Sequence, residues 1–199
     1  MQVISLDECA DLPEGVSSEE RLEHFSSGNW SPQWFFQKAI ELRESAKLEV
    51  QLVSDASQLP GLGSKTEFSY DHCSYVACFG RQQAGEKFLV SAVFGKGRVI
   101  GYAIAALADN GPAEIEILDV DTSSRRSSGL RVDLTIQNET FSVGVAHLLV
   151  LAIVRTFPGR LIVNATHPPS RYVFKSLGFV ARPGESNPCL LWKLPTPRD

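Results

Sequence analysis

Two stretches of this 199-residue chain carry residue types that can do chemistry. In residues 113–120 (AEIEILDV), Glu114 and Glu116 are two positions apart. On a strand, that spacing puts both carboxylates on one face and Asp119 and Asp121 on the other. Two carboxylates sharing one face of a half-buried strand raise each other's pKa, which suits a general base. The second stretch, residues 141–179, reads as helix, strand, helix. Ser142 is a good N-cap, and Gly144 and Ala146 are small residues at the helix mouth. A helix start without bulky side chains offers backbone N–H groups and the positive dipole end, an anion site and most often a phosphate site. Val143, Val145 and His147 add their amides, and Arg125 or Arg126 could hold phosphate in a bidentate pair. A purely structural reading stands beside this one. Gly144 and Ala146 would only let a buried helix pack closely, and Glu114 and Glu116 would be a solvated face.

The elements that must position these groups follow from pattern. The helix body after Gly144 is stopped by Pro158-Gly159, and Leu161-Ile162-Val163 is short and continuously apolar, as a strand buried on both faces should be. Pro168-Pro169-Ser170 opens a second helix and Gly178 closes it. Upstream, residues 17–25 read as a short helix with acids in its first turn. Ser31-Pro32 opens a helix over 33–47, with Trp34, Phe35, Ala39, Ile40 and Leu42 on its apolar face. Trp30 and Trp34 read as core or lid residues. Strands are expected at 48–53, 74–79, 87–94, 98–107 and 113–120, with a hairpin signal at Gly95-Lys96-Gly97 and a turn at 109–112. Residues 130–136 alternate as a further strand.

Composition bounds the rest. Hydrophobic residues make up 43% and charged residues 21%, an ordinary globule with a sizeable core, and the net charge of -4 argues against a nucleic-acid binder. Cys9, Cys73, Cys78 and Cys189 show no metal-ligand spacing, so no metal is expected. The acidic start lacks the charged and apolar regions of a signal peptide. The apolar run 148–154 is too short to span a bilayer. A cytoplasmic protein without a membrane segment is the expectation.

From Phe88 onward, order and motifs resemble the GNAT superfamily of acyl-CoA-dependent N-acyltransferases. FLVSAVFGKGRVIGYAIAAL resembles that family's second and third strands, and AEIEILDVDTSSRR its fourth strand and the approach to the pyrophosphate loop. RLIVNATHPPSRYVFKSLGF resembles the fifth strand, the next helix and the "lYeklGF" ending, and CLLWKL a last strand. His167 stands for the family's common Asn, Ser170 for Ala and Phe174 for Tyr. The loop motif is interrupted: Arg125-Arg126 and Val143-Gly144-Val145-Ala146 are separated by an apparent insertion.

The resemblance covers about residues 86–194. It implies an α+β fold with a GNAT-like mixed, mostly antiparallel sheet flanked by helices. It implies one domain over 1–199, with 1–60 as a helical N-terminal part and 127–142 as an inserted strand or hairpin. It also implies transfer of an acetyl (acyl) group from acetyl-CoA to a primary amine, on a small molecule or a protein. The acyl donor would be held by Val120, Arg125, Arg126, Val143, Gly144, Val145, Ala146, His147 and Ser170. Glu114 is the first candidate base and Glu116 the second. The family's general-acid Tyr position reads Phe174. Tyr172, two residues earlier and roughly 200° around the helix, is the third catalytic candidate. The alternative is a catalytically degenerate GNAT-like domain that binds CoA or a protein partner without chemistry.

Overall fold

The computed structural model describes residues 31–53, 88–107, 114–123, 127–136, 138–157, 159–181, 184 and 186–193. The helix expected at 17–25, the strand at 74–79, the turn at 109–112, Trp30, Arg125 and Arg126 lie outside these residues.

Helix α1 (Pro32–Ser45) starts as Ser31-Pro32 dictates, with Ser31 extended at the N-cap and Pro32 in the first turn, where its missing N–H costs nothing. Phe35, Ala39 and Leu42 recur at helical spacing and are buried. Trp34 is one 100° step off that stripe and stays 43% exposed, outside the apolar face expected for it. Lys47 at φ 52° reverses the chain, and the Leu48 N–H returns to the Arg43 carbonyl at 2.9 Å.

Strand β1 (Glu49–Val53) follows, then β2 (Phe88–Gly95) and β3 (Arg98–Leu107). Lys96 and Gly97 both have positive φ between them, the type I′ turn that matches strand twist. After β4 (Glu114–Thr122) come β5 (Val132–Ile136) and β6 (Glu139–Val143), paired as a separate hairpin. Helix α2 (Val145–Thr156), β7 (Arg160–Asn164), helix α3 (Pro168–Ser176), β8 (Val180–Ala181) and β9 (Leu190–Lys193) complete the order. Seven strands form one sheet, β1-β2-β3-β4-β7-β9-β8. Its pairings are antiparallel except β4–β7, which is parallel and needs α2 as its crossover. The fold is α+β, a mixed and mostly antiparallel sheet flanked by helices, as expected.

One boundary differs from the sequence expectation. Ser142 does not cap a helix; it lies in β6, and the N-cap is Gly144. Phe141 and Val143 are fully buried while Ser142 between them is half-buried. That alternation favours a strand, and pairing with β5 runs to Val132↔Val143 before the helix starts.

Small residues let α2 lie close on the sheet. Ser91, Gly101, Ala103 and Ala105 share its face, and a Cβ at Gly101 would come 2.9 Å from Val145 Cγ1 and 3.1 Å from Leu149 Cδ1. The Ser91 hydroxyl donates to the Leu149 carbonyl at 3.0 Å. Phe35, Phe141, Leu149, Val163 and Phe174 belong to one core uniting the helices, the hairpin and this face of the sheet. Val90, Ala92, Val99, Tyr102 and Ile104 form a second cluster on the opposite face.

Candidate functional site

Strands β4 and β7 pair from Glu114↔Arg160 to Ile117↔Val163 and stop there, although β4 runs on to Thr122. Two neighbouring parallel strands therefore part beyond Ile117. Leu118 is bulged at this point: Ala105 pairs with Ile117 and Ile104 with Asp119, so Leu118 has no opposite number on β3. A bulge bends its strand and raises local twist, which peels β4 away from β7. Helix α2 begins beside the gap. A Cβ added at Gly101 would meet both Val145 Cγ1, at 2.9 Å, and the Asp121 carbonyl of β4, at 3.1 Å, so the first turn of α2 stands over the end of β4.

The bulge changes which acids share a face. Simple alternation put Asp121 opposite to Glu116. In the structure Asp121 pairs with Tyr102 and Glu116 with Ala106, and both partners belong to the second cluster's side of the sheet. The extra residue resets the period of two, so Asp121 and Glu116 share a face. Glu116 is exposed, one residue before the strands part. Glu114 opens β4 opposite Arg160, whose guanidinium lies over the Trp192 ring at 5.0 Å. Val120 sits on the helix-bearing face, opposite Ala103.

At the helix mouth, the Gly144 N–H donates to His147 Nδ1 at 3.2 Å. Glycine brings no side-chain acceptor, so only the backward half of a capping box exists. With Nδ1 accepting, the neutral imidazole carries its proton on Nε2, an assignment made from that bond. Nε2 is buried and meets no acceptor among the described residues. Burial lowers the His147 pKa from 6.5 to about 3. The ring lies parallel to Phe35 at 6.4 Å and edge-on to Tyr172 at 5.7 Å. Phe141 of the hairpin is parallel to Tyr172 at 6.5 Å. These rings cover the mouth: Val143, Val145, Ala146 and His147 are each at most 2% exposed.

Tyr172 reaches the mouth from α3. Its hydroxyl donates to the Ser142 carbonyl at 3.0 Å, so in this structure its proton is held by the backbone two residues before the N-cap. Tyr172→Phe keeps the ring and loses that bond. It is expected to cost about 1 kcal/mol, lowering Tm by roughly 2–4 °C in a thermal melt; an unchanged Tm would show that the bond adds nothing. Ser170 is half-buried on α3, and Phe174 is buried against Phe179 at 5.2 Å. His167 is the exposed N-cap of α3.

The sequence reading expects a strand over 130–136 within an inserted strand or hairpin at 127–142; the structure pairs β5 with β6, and Arg131, just before β5, is not among the candidate site residues. Asp133 Oδ1 accepts from Ser142 Oγ at 2.9 Å and faces Arg131 Nε at 3.5 Å. The signal was the alternation of Phe141 and Val143 around Ser142. Among the described residues no group of three or more His, Cys, Asp or Glu could hold a metal ion. Among them, too, no helix is long and apolar enough to cross a membrane.

No protein-family model and no curated protein matches the chain. Solved structures similar to it include the KacTA–DNA complex, with a TM-score of 0.49, 16% identity, and cover of 73% of this chain and 92% of that one. AtaTR bound with acetyl-CoA gives 0.48 and 15%, over 73% and 92%. The PaiA N-acetyltransferase of Thermoplasma acidophilum in complex with coenzyme A gives 0.44 and 13%, over 73% and 99%.

Proposed function

We propose that the chain is an acyl-CoA-dependent N-acyltransferase that moves an acetyl (acyl) group to a primary amine. The observation that carries this reading is the parting of β4 and β7 beyond Ile117↔Val163, directly beside the small-residue start of α2. A thioester laid into that gap would bring its carbonyl to β4 and its phosphates toward the α2 mouth. Amides at a helix start bind phosphate because they point outward and carry the dipole's positive end. Gly144 and Ala146 bring no bulky side chain to the mouth, which the rings of Phe35, Phe141 and Tyr172 cover in this structure, and Ser170 would flank it from α3.

The chemistry is nucleophilic addition and elimination. A neutral amine attacks the thioester carbonyl, the new C–N bond forms, the C–S bond breaks and the thiolate leaves, while the proton the nitrogen sheds on becoming an amide passes to the thiolate or to solvent. An ammonium has no lone pair, so a base must first take its proton. Glu114 and Glu116 are the proposed bases, on the strand face opposite α2. Glu116, one residue from the gap, is the better placed of the two. The thiolate leaves readily, so a strong acid is not required, and Tyr172 or solvent would supply the returning proton.

A second reading is a domain that binds CoA or a protein partner without chemistry. It is favoured by the covered mouth and by Phe174 at the position of the family's acid. Two measurements separate these. Millimolar acetyl-CoA or CoA should raise Tm by mass action; no shift with either would sink both CoA-binding readings. Thiol release with a panel of amines should then follow under the enzyme reading, and fall by about 10²–10⁴ in Glu116→Gln or Glu114→Gln, the usual worth of a base. Full turnover in both variants would remove the base assignment.

A further inference from the structure

Register sets four side chains in one row across the outer half of the sheet. Glu116 pairs with Ile162, Ile162 with Trp192, and Trp192 with Val180, so the row crosses β4, β7, β9 and β8. Their chain neighbours Ile117, Leu161, Val163, Leu191 and Phe179 turn into the core beneath the helices. Strand alternation therefore puts all four on the opposite face. Exposure separates this half of that face from the other. Over β2 and β3, Val90, Ala92, Tyr102 and Ile104 are at most 1% exposed. Along the row, Ile162 and Trp192 are half-buried, Glu116 is exposed and Val180 is 54% exposed. An open strip with an apolar floor and a carboxylate at one end starts one residue from the gap between β4 and β7.

We infer that this strip seats the acceptor, a primary amine with a single positive charge and an elongated apolar body. The inference rests on the acyl-transfer reading and names the substrate class for it. Glu116, the better placed of the proposed bases, meets the ammonium at the gap, where opposite charges attract before the proton is taken. Beyond it, Ile162, Trp192 and Val180 favour hydrocarbon by removing it from water. With neighbouring strands about 4.8 Å apart, the row from Glu116 to Val180 is roughly 14 Å long. That length suits an extended alkyl or aryl-alkyl body. The Arg160 guanidinium lies 5.0 Å from the Trp192 ring centroid and brings a positive charge to the strip. A second ammonium further along the acceptor would be repelled there, so the strip selects against polyamines.

The test measures steady-state rates on the full chain with acetyl-CoA and ethylamine, butylamine, decylamine or a linear triamine of decylamine's length. KM should fall by about two- to fourfold for each methylene laid on the row, with kcat little changed, and the triamine should be the poorest of the long acceptors. Val180→Asp, at a site more than half exposed, should raise KM for decylamine severalfold and leave ethylamine untouched, since ethylamine ends short of it. A merely structural role for Val180 would move both. Binding is read separately, without donor, from the Trp192 indole N–H signal in an NMR spectrum, identified by its loss in Trp192→Phe. That N–H is buried and meets no acceptor among the described residues, so it reports on what is laid over the ring. Decylamine should shift it and ethylamine should not. A KM independent of chain length, a preference for the triamine, or an unmoved indole signal overturns the inference while acyl transfer stands. If no amine consumes the thioester, the transfer reading falls and takes the acceptor role with it.

Discussion

Between pH 6.5 and pH 3, the wild-type protein is expected to lose stability more steeply than a His147→Gln variant, by up to about 1.4 kcal/mol for each pH unit. The cause is burial. His147 is enclosed by Phe35 and Tyr172, and its pKa falls from 6.5 to about 3. In the unfolded chain it gains a proton near 6.5; in the folded protein it resists until about 3. Between those values the unfolded state binds more protons. The stability tied to the neutral ring is therefore complete above 6.5 and drains away as the pH falls toward 3. Geometry gives the same sign. A protonated Nδ1 would confront the Gly144 N–H, donor against donor, where a 3.2 Å hydrogen bond now caps the helix. Over the whole interval the effect is on the order of 5 kcal/mol, comparable with the net stability of a small domain. Urea midpoints across that range, at constant ionic strength, provide the check. Carboxylates titrate in both proteins, so the difference between the two curves is the readout, and parallel curves would refute the assignment.

Replacing Gly101 is expected to be the most damaging small change on the sheet. A Cβ there would stand 2.9 Å from Val145 Cγ1, 3.1 Å from Leu149 Cδ1 and 3.1 Å from the Asp121 carbonyl. Valine has one strongly preferred rotamer in a helix, and the carbonyl belongs to a paired strand, so neither can step aside cheaply. Gly101→Ala should cost about 1–3 kcal/mol, seen as a lower urea midpoint. Because Val145 is the first residue of α2, the same change should move the helix mouth and weaken CoA binding. Gly101→Ala combined with Val145→Ala should cost less than the sum of the single changes, since the second opens the space the first needs. Strict additivity would mean that the contact does not limit how closely α2 approaches.

The sequence was most informative where local chemistry and period agree. Ser31-Pro32 opened a helix, Lys96-Gly97 closed a hairpin, Leu161-Ile162-Val163 became the parallel strand, and Pro168 with Gly178 bounded α3. Each depends on a few neighbouring residues, so a single sequence is enough to read it. The small residues of the mouth were legible for the same reason, and so was the alternation that makes β4 a strand.

What the sequence left open was decided by pairing and packing over long separations. The extra residue at Leu118 is visible only against β3, and it brings Asp121 onto the face of Glu116 and parts β4 from β7. Ser142 is a good cap by type, yet Phe141 and Val143 gain more from the core as strand residues than Ser142 gains as a cap. His147, Tyr172, Phe141 and Phe35 come from three helices and a hairpin, and no spacing in the chain foretells that they meet. Glu116 and Trp192 share one row for the same reason: hydrogen-bond register sets their strands on either side of β7. The residue types that can bind an anion were written in the chain; which of them share a site is set by hydrogen-bond register and core packing, and those exist only once the tertiary structure has formed.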